Sequence, residues 1–224
     1  SARDYFVDIA RGLDAFYVAH GYSPDAQSML SSRVVDNING MQYDGILFER
    51  SRERKAPHNS YISKDKVLAG AEKVKASMEI TKIPRFSFFD SFEGIKIGNP
   101  VSNFSIHYGA GSTFENEYTY ISDEGLYERE TAGALTIDKE TDKAAKIANI
   151  ICMEIPHKII DSSGRRQLSL NDGGRAYIIQ AGIMREIEWE KIDGILMPME
   201  NGVPARRVPG QTWISFIPTN PGLE

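Results

Sequence analysis

The stretch of sequence that decides the fold reads Ala15-Phe16-Tyr17-Val18-Ala19-His20-Gly21-Tyr22-Ser23-Pro24. Its first five residues form an apolar run of strand length, and a polar turn follows them. Ser23 suits a helix N-cap, and Pro24 suits the first helical position, where its missing N–H costs nothing. Upstream, apolar residues recur at helical spacing between Tyr5 and Leu13. The order helix, strand, turn, helix is typical of a layered α/β unit.

A third helix is predicted after the N-cap residue Ser63, and it is the longest helix that we expect. Its apolar stripe has helical spacing and consists of Val67, Leu68, Ala71, Val74 and Met78. Glycine and proline then interrupt the pattern and predict a linker or an interdomain crossing, at Pro84, Gly94, Gly98 and Pro100.

Strand patterns dominate the rest of the chain. The run from Ala148 to Ile155 is nearly all apolar, which predicts a buried central strand. Between residues 185 and 190, Ile187 and Trp189 alternate with three glutamates, which indicates a sheet face in contact with water rather than a metal site. We therefore predict an α+β protein. Residues 1–100 would form a layered α/β domain with two or three helices, and residues 101–224 a mostly antiparallel β domain.

Composition excludes several classes of protein. The chain has 224 residues and a net charge of −5, which argues against binding nucleic acid through bulk electrostatics. No run approaches eighteen apolar residues, so no membrane span is predicted. The single Cys152 lies in an apolar run and is expected to pack as a small hydrophobic residue. Because the chain opens on Ser1 without an initiator methionine or a signal peptide, we expect a fragment or a processed product.

A basic loop is the first candidate site. It reads Arg52-Glu53-Arg54-Lys55-Ala56-Pro57-His58-Asn59-Ser60-Tyr61 and lies between an apolar run and the third helix. Three cations, a histidine, an asparagine amide and a hydroxyl lie close together there. Arginine offers a planar fork to a carboxylate or phosphate and lysine a point charge, so Arg52, Arg54 and Lys55 could bind an anion. His58 could act as an acid or base near neutral pH. Alternatively, His58 and Asn59 only satisfy the loop backbone while the cations lie in water.

Two further positions are candidates for binding. His20 follows a strand, at the end where α/β units place their ligands, and the helix after Ser23 would favour a negative group nearby. Trp213, in the predicted closing strand, could line a groove for a sugar or peptide together with Tyr118 or Tyr120, or it could be a core residue. Histidine and cysteine show no metal-binding spacing, and no cofactor motif is complete, so we predict neither a metal nor a cofactor.

Several motifs in this order resemble a known family: Ser1-Ala2-Arg3, His20 to Pro24, Arg54 to Asn59, Tyr118-Thr119-Tyr120, Asp161 to Arg165, and Pro209 to Ile214. The chain resembles the YerB-like lipoproteins of Bacillus and relatives, a family named for a domain of unknown function. The resemblance covers essentially all 224 residues. The chain departs from many relatives at Gly21-Tyr22, where they have two adjacent glycines.

The resemblance implies a secreted, lipid-anchored protein of the Gram-positive envelope with an N-terminal and a C-terminal domain. It also implies a signal peptide, a lipobox cysteine and further strands before the position of Ser1, so that the first domain would lack upstream strands. Arg3 becomes a candidate ligand-binding residue only through this resemblance. The family supplies no reaction.

From these observations we predict an extracytoplasmic binding protein. A polar cleft between the His20 turn and the loop around Lys55 and His58 would accept an anionic or polar envelope ligand or a partner protein. The first alternative is an envelope hydrolase or transferase with His58 as general base and Arg54 or Lys55 stabilising an oxyanion. The second is a scaffold that docks another protein through a flat apolar patch.

Overall fold

The computed structural model describes residues 2–91, 95, 97–108, 111–162 and 164–219. Ser1 and residues 220–224, at the two ends of the predicted domains, lie outside these described residues, as do Gly94 of the predicted linker and Ser163 of the Asp161 to Arg165 motif. The chain divides into two compact units, one of residues 1–84 with 193–195 and one of residues 85–192 with 196–224. The domain boundary after residue 100 and the missing upstream strands stay predictions.

The first unit is a layered α/β structure. Its elements are α1 Asp4–Gly12, β1 Tyr17–Ala19, α2 Pro24–Ser31, β2 Asn37–Asn39, β3 Glu49–Arg50, β4 Ser60–Tyr61 and α3 Lys64–Val74. Strands β1 and β2 are parallel, with α2 as their crossover. Tyr17 and Ala19 pack with residues of α1 and α2. On the opposite face of the sheet, Val18 packs with Ile38, which lies against Gly70 of α3.

The capping residues fix where the helices begin. The Ser23 hydroxyl accepts a hydrogen bond from the Ala26 N–H at 3.3 Å, and Pro24 opens α2 as predicted. Ser63 caps α3 in the same way. The predicted stripe to Met78 is too long, because α3 ends at Val74 and Lys75 adopts the left-handed conformation. Met78 therefore lies outside the helix and is exposed.

In the described residues, the remaining elements are strands and a short 3-10 turn at Ser112–Phe114. The strands are β5 Ser87–Phe88, β6 Asn99–Pro100, β7 Asn103–Ile106, β8 Asn116–Ile121, β9 Leu126–Thr131, β10 Ala134–Leu135, β11 Ile137–Asp138, β12 Lys143–Ala144, β13 Asn149–Glu154, β14 His157–Ile159, β15 Arg166–Leu168, β16 Gly174–Gln180, β17 Ile183–Ile192, β18 Ile195–Glu200, β19 Val203–Pro204, β20 Arg206–Arg207 and β21 Thr212–Ile217.

Two sheets form the body of the second unit. The smaller sheet has the antiparallel order β10-β9-β8-β7. The larger sheet has the order β19-β18-β17-β16-β13-β21, with β6 also paired to β17. Strand β13 is buried and central, as its apolar run predicts, because it pairs antiparallel with β16 and parallel with β21. The chain is therefore an α+β protein with a mostly antiparallel second part, as predicted.

The two sheets share one hydrophobic core. Aromatic residues of the smaller sheet, such as Tyr118 and Tyr127, pack against Ile150 and Cys152 of β13. Burial raises the pKa of the Cys152 thiol to about 12, which agrees with its predicted role as a hydrophobic residue. The predicted alternation in β17 is also confirmed, since its glutamates at 186, 188 and 190 are exposed while Trp189 is buried.

Two further properties bear on function. None of the helices in the described ranges is long and apolar enough to cross a membrane. Within the same ranges, histidine, cysteine, aspartate and glutamate form no cluster of three or more that could hold a metal ion.

Candidate functional site

His20 lies where the two parallel strands of the first unit end. It follows β1 directly, and Gly40, which follows β2, donates its N–H to the Ala19 carbonyl at 2.8 Å. The His20 side chain is only 11% exposed. Its ring meets the ring of buried Phe48 edge-on, with 5.2 Å between the centroids. His20 therefore occupies the carboxyl edge of a parallel pair, the usual ligand side of an α/β unit.

The basic loop is the connection of a short hairpin. Strands β3 and β4 pair antiparallel and join Arg50 to Ser60 across the base of the loop. Ser51 donates its N–H to the Asn59 carbonyl at 2.8 Å, and the Asn59 amide returns a bond to the Ser51 carbonyl at 3.2 Å. These bonds fix both ends of the loop, so the loop rests on a rigid base.

Arg50 connects this hairpin to His20. Its Nη2 lies 2.9 Å from His20 Nε2, and its Nη1 donates to Asn59 Oδ1 at 3.1 Å. The Asp44 carboxylate accepts from Nε at 3.2 Å and from Nη2 at 2.9 Å. The Ser60 hydroxyl lies 2.7 Å from His20 Nδ1. The five side chains of His20, Asp44, Arg50, Asn59 and Ser60 thus form one polar network, which we call the Arg50 network.

The Arg50 network determines the tautomer of His20. A guanidinium can only donate, so His20 Nε2 accepts and the ring proton resides on Nδ1. The Nδ1–H must then donate to the Ser60 oxygen. A general base would have to accept the proton of Ser60, which this tautomer cannot do. The pair at 2.7 Å therefore positions two side chains and does not activate a nucleophile.

The surroundings of His20 also favour the neutral imidazole. Burial, followed by the charge of Arg50, lowers the pKa of His20, and the Asp44 carboxylate opposes that shift only in part. The hydrogen bond from Arg50 lowers the pKa of Asp44. Near neutral pH the network therefore holds a neutral imidazole between one cation and one carboxylate.

Replacing Arg50 by methionine (R50M) is expected to raise the pKa of His20, because the variant loses both the neighbouring charge and the donor that requires a neutral ring. In the wild type, the contribution of neutral His20 to stability is fully present above its ordinary pKa of about 6.5 and is lost as the pH falls through its lowered pKa. This pH dependence should weaken in R50M. NMR titration of the imidazole signals would measure the shift.

R52M is the matched control for R50M, because it removes a guanidinium two residues away that no hydrogen bond or ion pair of the described residues engages. An unchanged His20 titration in R50M would show that Arg50 does not govern this ring.

The charged residues of the basic loop and His58 take no part in the Arg50 network. Arg52, Arg54, Lys55 and His58 are all exposed. Among the residues that the structure describes, Arg54 contacts only the Tyr61 hydroxyl, at 3.4 Å. Within the described part of the chain, no hydrogen bond or ion pair engages the side chains of Arg52, Lys55 and His58. Of the predicted site residues, the structure thus brings His20 and Asn59 together through Arg50 and leaves the loop cations in solvent.

The three remaining predicted site residues have other surroundings. The chain at Arg3 runs beside the His20 turn, because Ala2 donates to the Gly21 carbonyl at 2.8 Å and accepts from the Ser23 N–H at 3.0 Å. The Ser23 side chain is buried and serves as the α2 cap. Trp213 belongs to β21 in the second unit, where it is half-buried against the shared core.

The sequence prediction missed two members of the Arg50 network, Asp44 and Arg50, and it placed Ser60 in the basic loop without naming it as a site residue. Each of the three is a common polar residue that reaches His20 across a long separation in sequence. One signal was present, since Arg50 and Ser60 lie on the two sides of residues 52–59, at the positions where a hairpin would pair them.

Comparison with known proteins identifies relatives for both parts of the chain. Residues 1–77 match the family described as "Protein of unknown function (DUF3048) N-terminal domain", and residues 104–214 match its C-terminal domain. The chain is 36% identical over 219 residues to "Putative lipoprotein YerB" of Bacillus subtilis (strain 168), which covers 97% of this chain and 65% of that relative. The chain thus spans less than two thirds of the length of that relative. The crystal structure of YerB from Bacillus subtilis matches all of this chain and 74% of its own, with a TM-score of 0.89 and 34% identity.

Proposed function

The chain belongs to the DUF3048 family, as its motifs predicted, and from this premise we propose that it is an envelope binding protein whose first unit binds a phosphate-bearing anionic ligand. The observation that carries the proposal is the exposed basic loop. Arg52, Arg54 and Lys55 lie there with a single carboxylate, Glu53, and no carboxylate pairs with them in the described ranges. Unpaired guanidinium and ammonium groups favour an anionic partner.

The base of the loop supports the same proposal. A loop that is already ordered loses less conformational entropy when it binds. Here Arg50 and Asn59 join the loop ends by hydrogen bonds, and His20 and Asp44 hold Arg50 in turn. We therefore assign these side chains to positioning the loop, while Arg52, Arg54, Lys55 and His58 contact the ligand.

The alternative of a hydrolase or transferase has less support. An enzyme with His58 as general base would need a second side chain to orient the imidazole. His58 is exposed, and its backbone N–H donates to the Lys55 carbonyl at 3.0 Å, whereas no described side chain holds its ring. His20 has an orienting group but the wrong tautomer to serve Ser60.

We also propose that the protein is located outside the cytoplasm. It rests on the relative YerB, whose name describes a lipoprotein, and on the position of this chain in the same family. We propose that a lipid anchor on an upstream segment holds the protein at the outer face of a Gram-positive membrane. The phosphate-rich polymers of such an envelope would then be within reach of the basic loop.

The triple variant R54Q/K55Q/H58Q tests the proposed ligand site. Its binding to inorganic polyphosphate should be weaker by at least about tenfold, since each lost 1.4 kcal/mol of interaction is a factor of ten. Its melting temperature should stay unchanged, because all three side chains are exposed. Calorimetric titration at low and at moderate salt would measure both the affinity and how far salt weakens it by screening the charges.

The variant K139Q/K143Q is the matched control, because it removes two exposed lysines from the second unit. It should bind polyphosphate as the wild type does. Equal losses in both variants would indicate attraction to net charge alone, and a large fall in melting temperature of the triple variant would make the loop residues structural.

A further inference from the structure

The second unit contains an open hollow of about 650 Å³, well within the size of small-molecule sites. We call it the basic hollow and define it by six of its lining residues: Tyr108, Asn116, Arg129, Thr131, His157 and Arg166. They come from β8, β9, β14 and β15 and from the segment after β7. The hollow shares no residue with the Arg50 network or the basic loop.

Arg129 is fixed at the hollow by neutral groups alone. Its guanidinium lies over the Trp213 ring, 4.4 Å from the centroid. Its Nη1 donates to the Thr136 hydroxyl at 2.9 Å, and its Nη2 donates to Asn116 Oδ1. Its Nε is buried without a hydrogen-bond partner. No carboxylate in the described ranges pairs with Arg129, so a partly buried positive charge remains without a counter-charge.

Arg166 and His157 form the second polar pair of the hollow. Arg166 Nη1 lies 3.1 Å from His157 Nδ1, and its Nη2 donates to the Tyr108 carbonyl at 3.4 Å. Because arginine only donates, His157 Nδ1 accepts and Nε2 carries the proton. This Nε2–H is buried, and none of the described residues accepts it. Burial, and then the charge of Arg166, lower the pKa of His157, so the ring is neutral at neutral pH.

We infer that the basic hollow binds the carboxylate or phosphate group of a small anionic ligand. A guanidinium has five N–H groups, and the contacts above use two on Arg129 and two on Arg166. The second N–H of Arg129 Nη1 and Nη2 and the unused N–H groups of Arg166 remain for an oxyanion, which would supply the missing counter-charge, whereas the Arg129 Nε–H is buried. Tyr108 and Phe114 add aromatic walls for the body of the ligand. This site is independent of the function proposed for the first unit.

Titration of the wild-type protein with inorganic phosphate and with succinate tests the inference, with sodium chloride at equal ionic strength as reference. Calorimetry gives the affinity. Tryptophan fluorescence reports on the site, because Trp213 stacks on Arg129. We expect saturable binding of at least one of the two anions, and whichever binds identifies the oxyanion class. In R166M the affinity should fall at least about tenfold, as expected when a charge-assisted contact is lost.

Arg166 is exposed, so R166M should fold even if R129M does not. R165M is the matched control, because Arg165 is the preceding residue and pairs with Asp161 instead. It should bind as the wild type does, as should R54Q/K55Q/H58Q, which separates this site from the basic loop. Responses to phosphate and succinate no greater than to chloride would overturn the inference, and so would unchanged binding in R166M.

Discussion

Replacement of Asn149 by alanine (N149A) is expected to lower the free energy of unfolding by about 3 kcal/mol or more, through buried groups left without partners. Asn149 is fully buried at the start of β13. Its amide donates to the Val208 carbonyl at 3.0 Å and to the Thr212 hydroxyl at 3.2 Å. Its oxygen accepts from Gln180 Nε2 at 2.6 Å and from the Val208 N–H at 2.9 Å.

The size of this effect follows from how completely Asn149 is satisfied. Its four hydrogen bonds join β13 to β16, to β21 and to the segment after β20. Alanine offers neither donor nor acceptor, and each buried group that it leaves unpaired costs about 1–3 kcal/mol. Urea unfolding would measure the loss. N171A is the matched control, because Asn171 is exposed and its side chain, among the described residues, bonds only to Lys191. An equal loss in both variants would show that the hydrogen bonds of Asn149 are not the cause.

Replacement of Gly40 by alanine (G40A) is expected to destabilise the first unit by about 2 kcal/mol and to displace His20. A Cβ at position 40 would lie 2.7 Å from the His20 Cβ and 2.8 Å from its Cα. The Cα belongs to the backbone, so the clash cannot be relieved by rotating a side chain. Relief requires the ends of β1 and β2 to separate, which breaks the bond from the Gly40 N–H to Ala19.

Two measurements would check G40A. Thermal unfolding gives the loss of stability, and the imidazole signals of His20 give its contact with Ser60. M41A is the control, because Met41 is the next residue and is 60% exposed, so its truncation should change stability by less than about 0.5 kcal/mol. A wild-type His20 spectrum in G40A would show that position 40 tolerates a methyl group.

Local chemistry made much of the fold predictable. Ser23 and Ser63 cap helices through bonds that span three residues, so the sequence around them contains the whole signal. The end of α3 has no such signal. Lys75 adopts the left-handed conformation that usually belongs to a glycine, and a glycine at this position would have predicted the helix end. The segment that follows is held by the Asp36 carboxylate, which accepts a hydrogen bond from the Ser77 N–H at 2.9 Å. Because that contact joins positions distant in sequence, the spacing of apolar residues cannot predict it.

In the candidate site, too, the residues marked by local sequence could be predicted and those brought together by the tertiary structure could not. His20 could be singled out because it follows a strand, and the loop because its composition is unusual. That Arg50 joins His20 to Asn59 depends on where a two-stranded hairpin meets the end of a parallel pair, which is a property of the tertiary structure. At the basic hollow the sequence singled out Trp213, which stacks on Arg129, but neither arginine, because Arg129 and Arg166 are ordinary strand residues that only the fold brings to one cavity.

The parallel pairing of β13 with β21 has a consequence for synthesis. β13 ends at Glu154, whereas the strand that covers its outer edge begins only at Thr212. At usual translation speeds the ribosome needs several seconds to make the intervening chain. Throughout that interval a nascent chain exposes one edge of its most apolar strand, an edge open to mispairing with other chains. Chaperone protection of that edge would suit a protein built in this order.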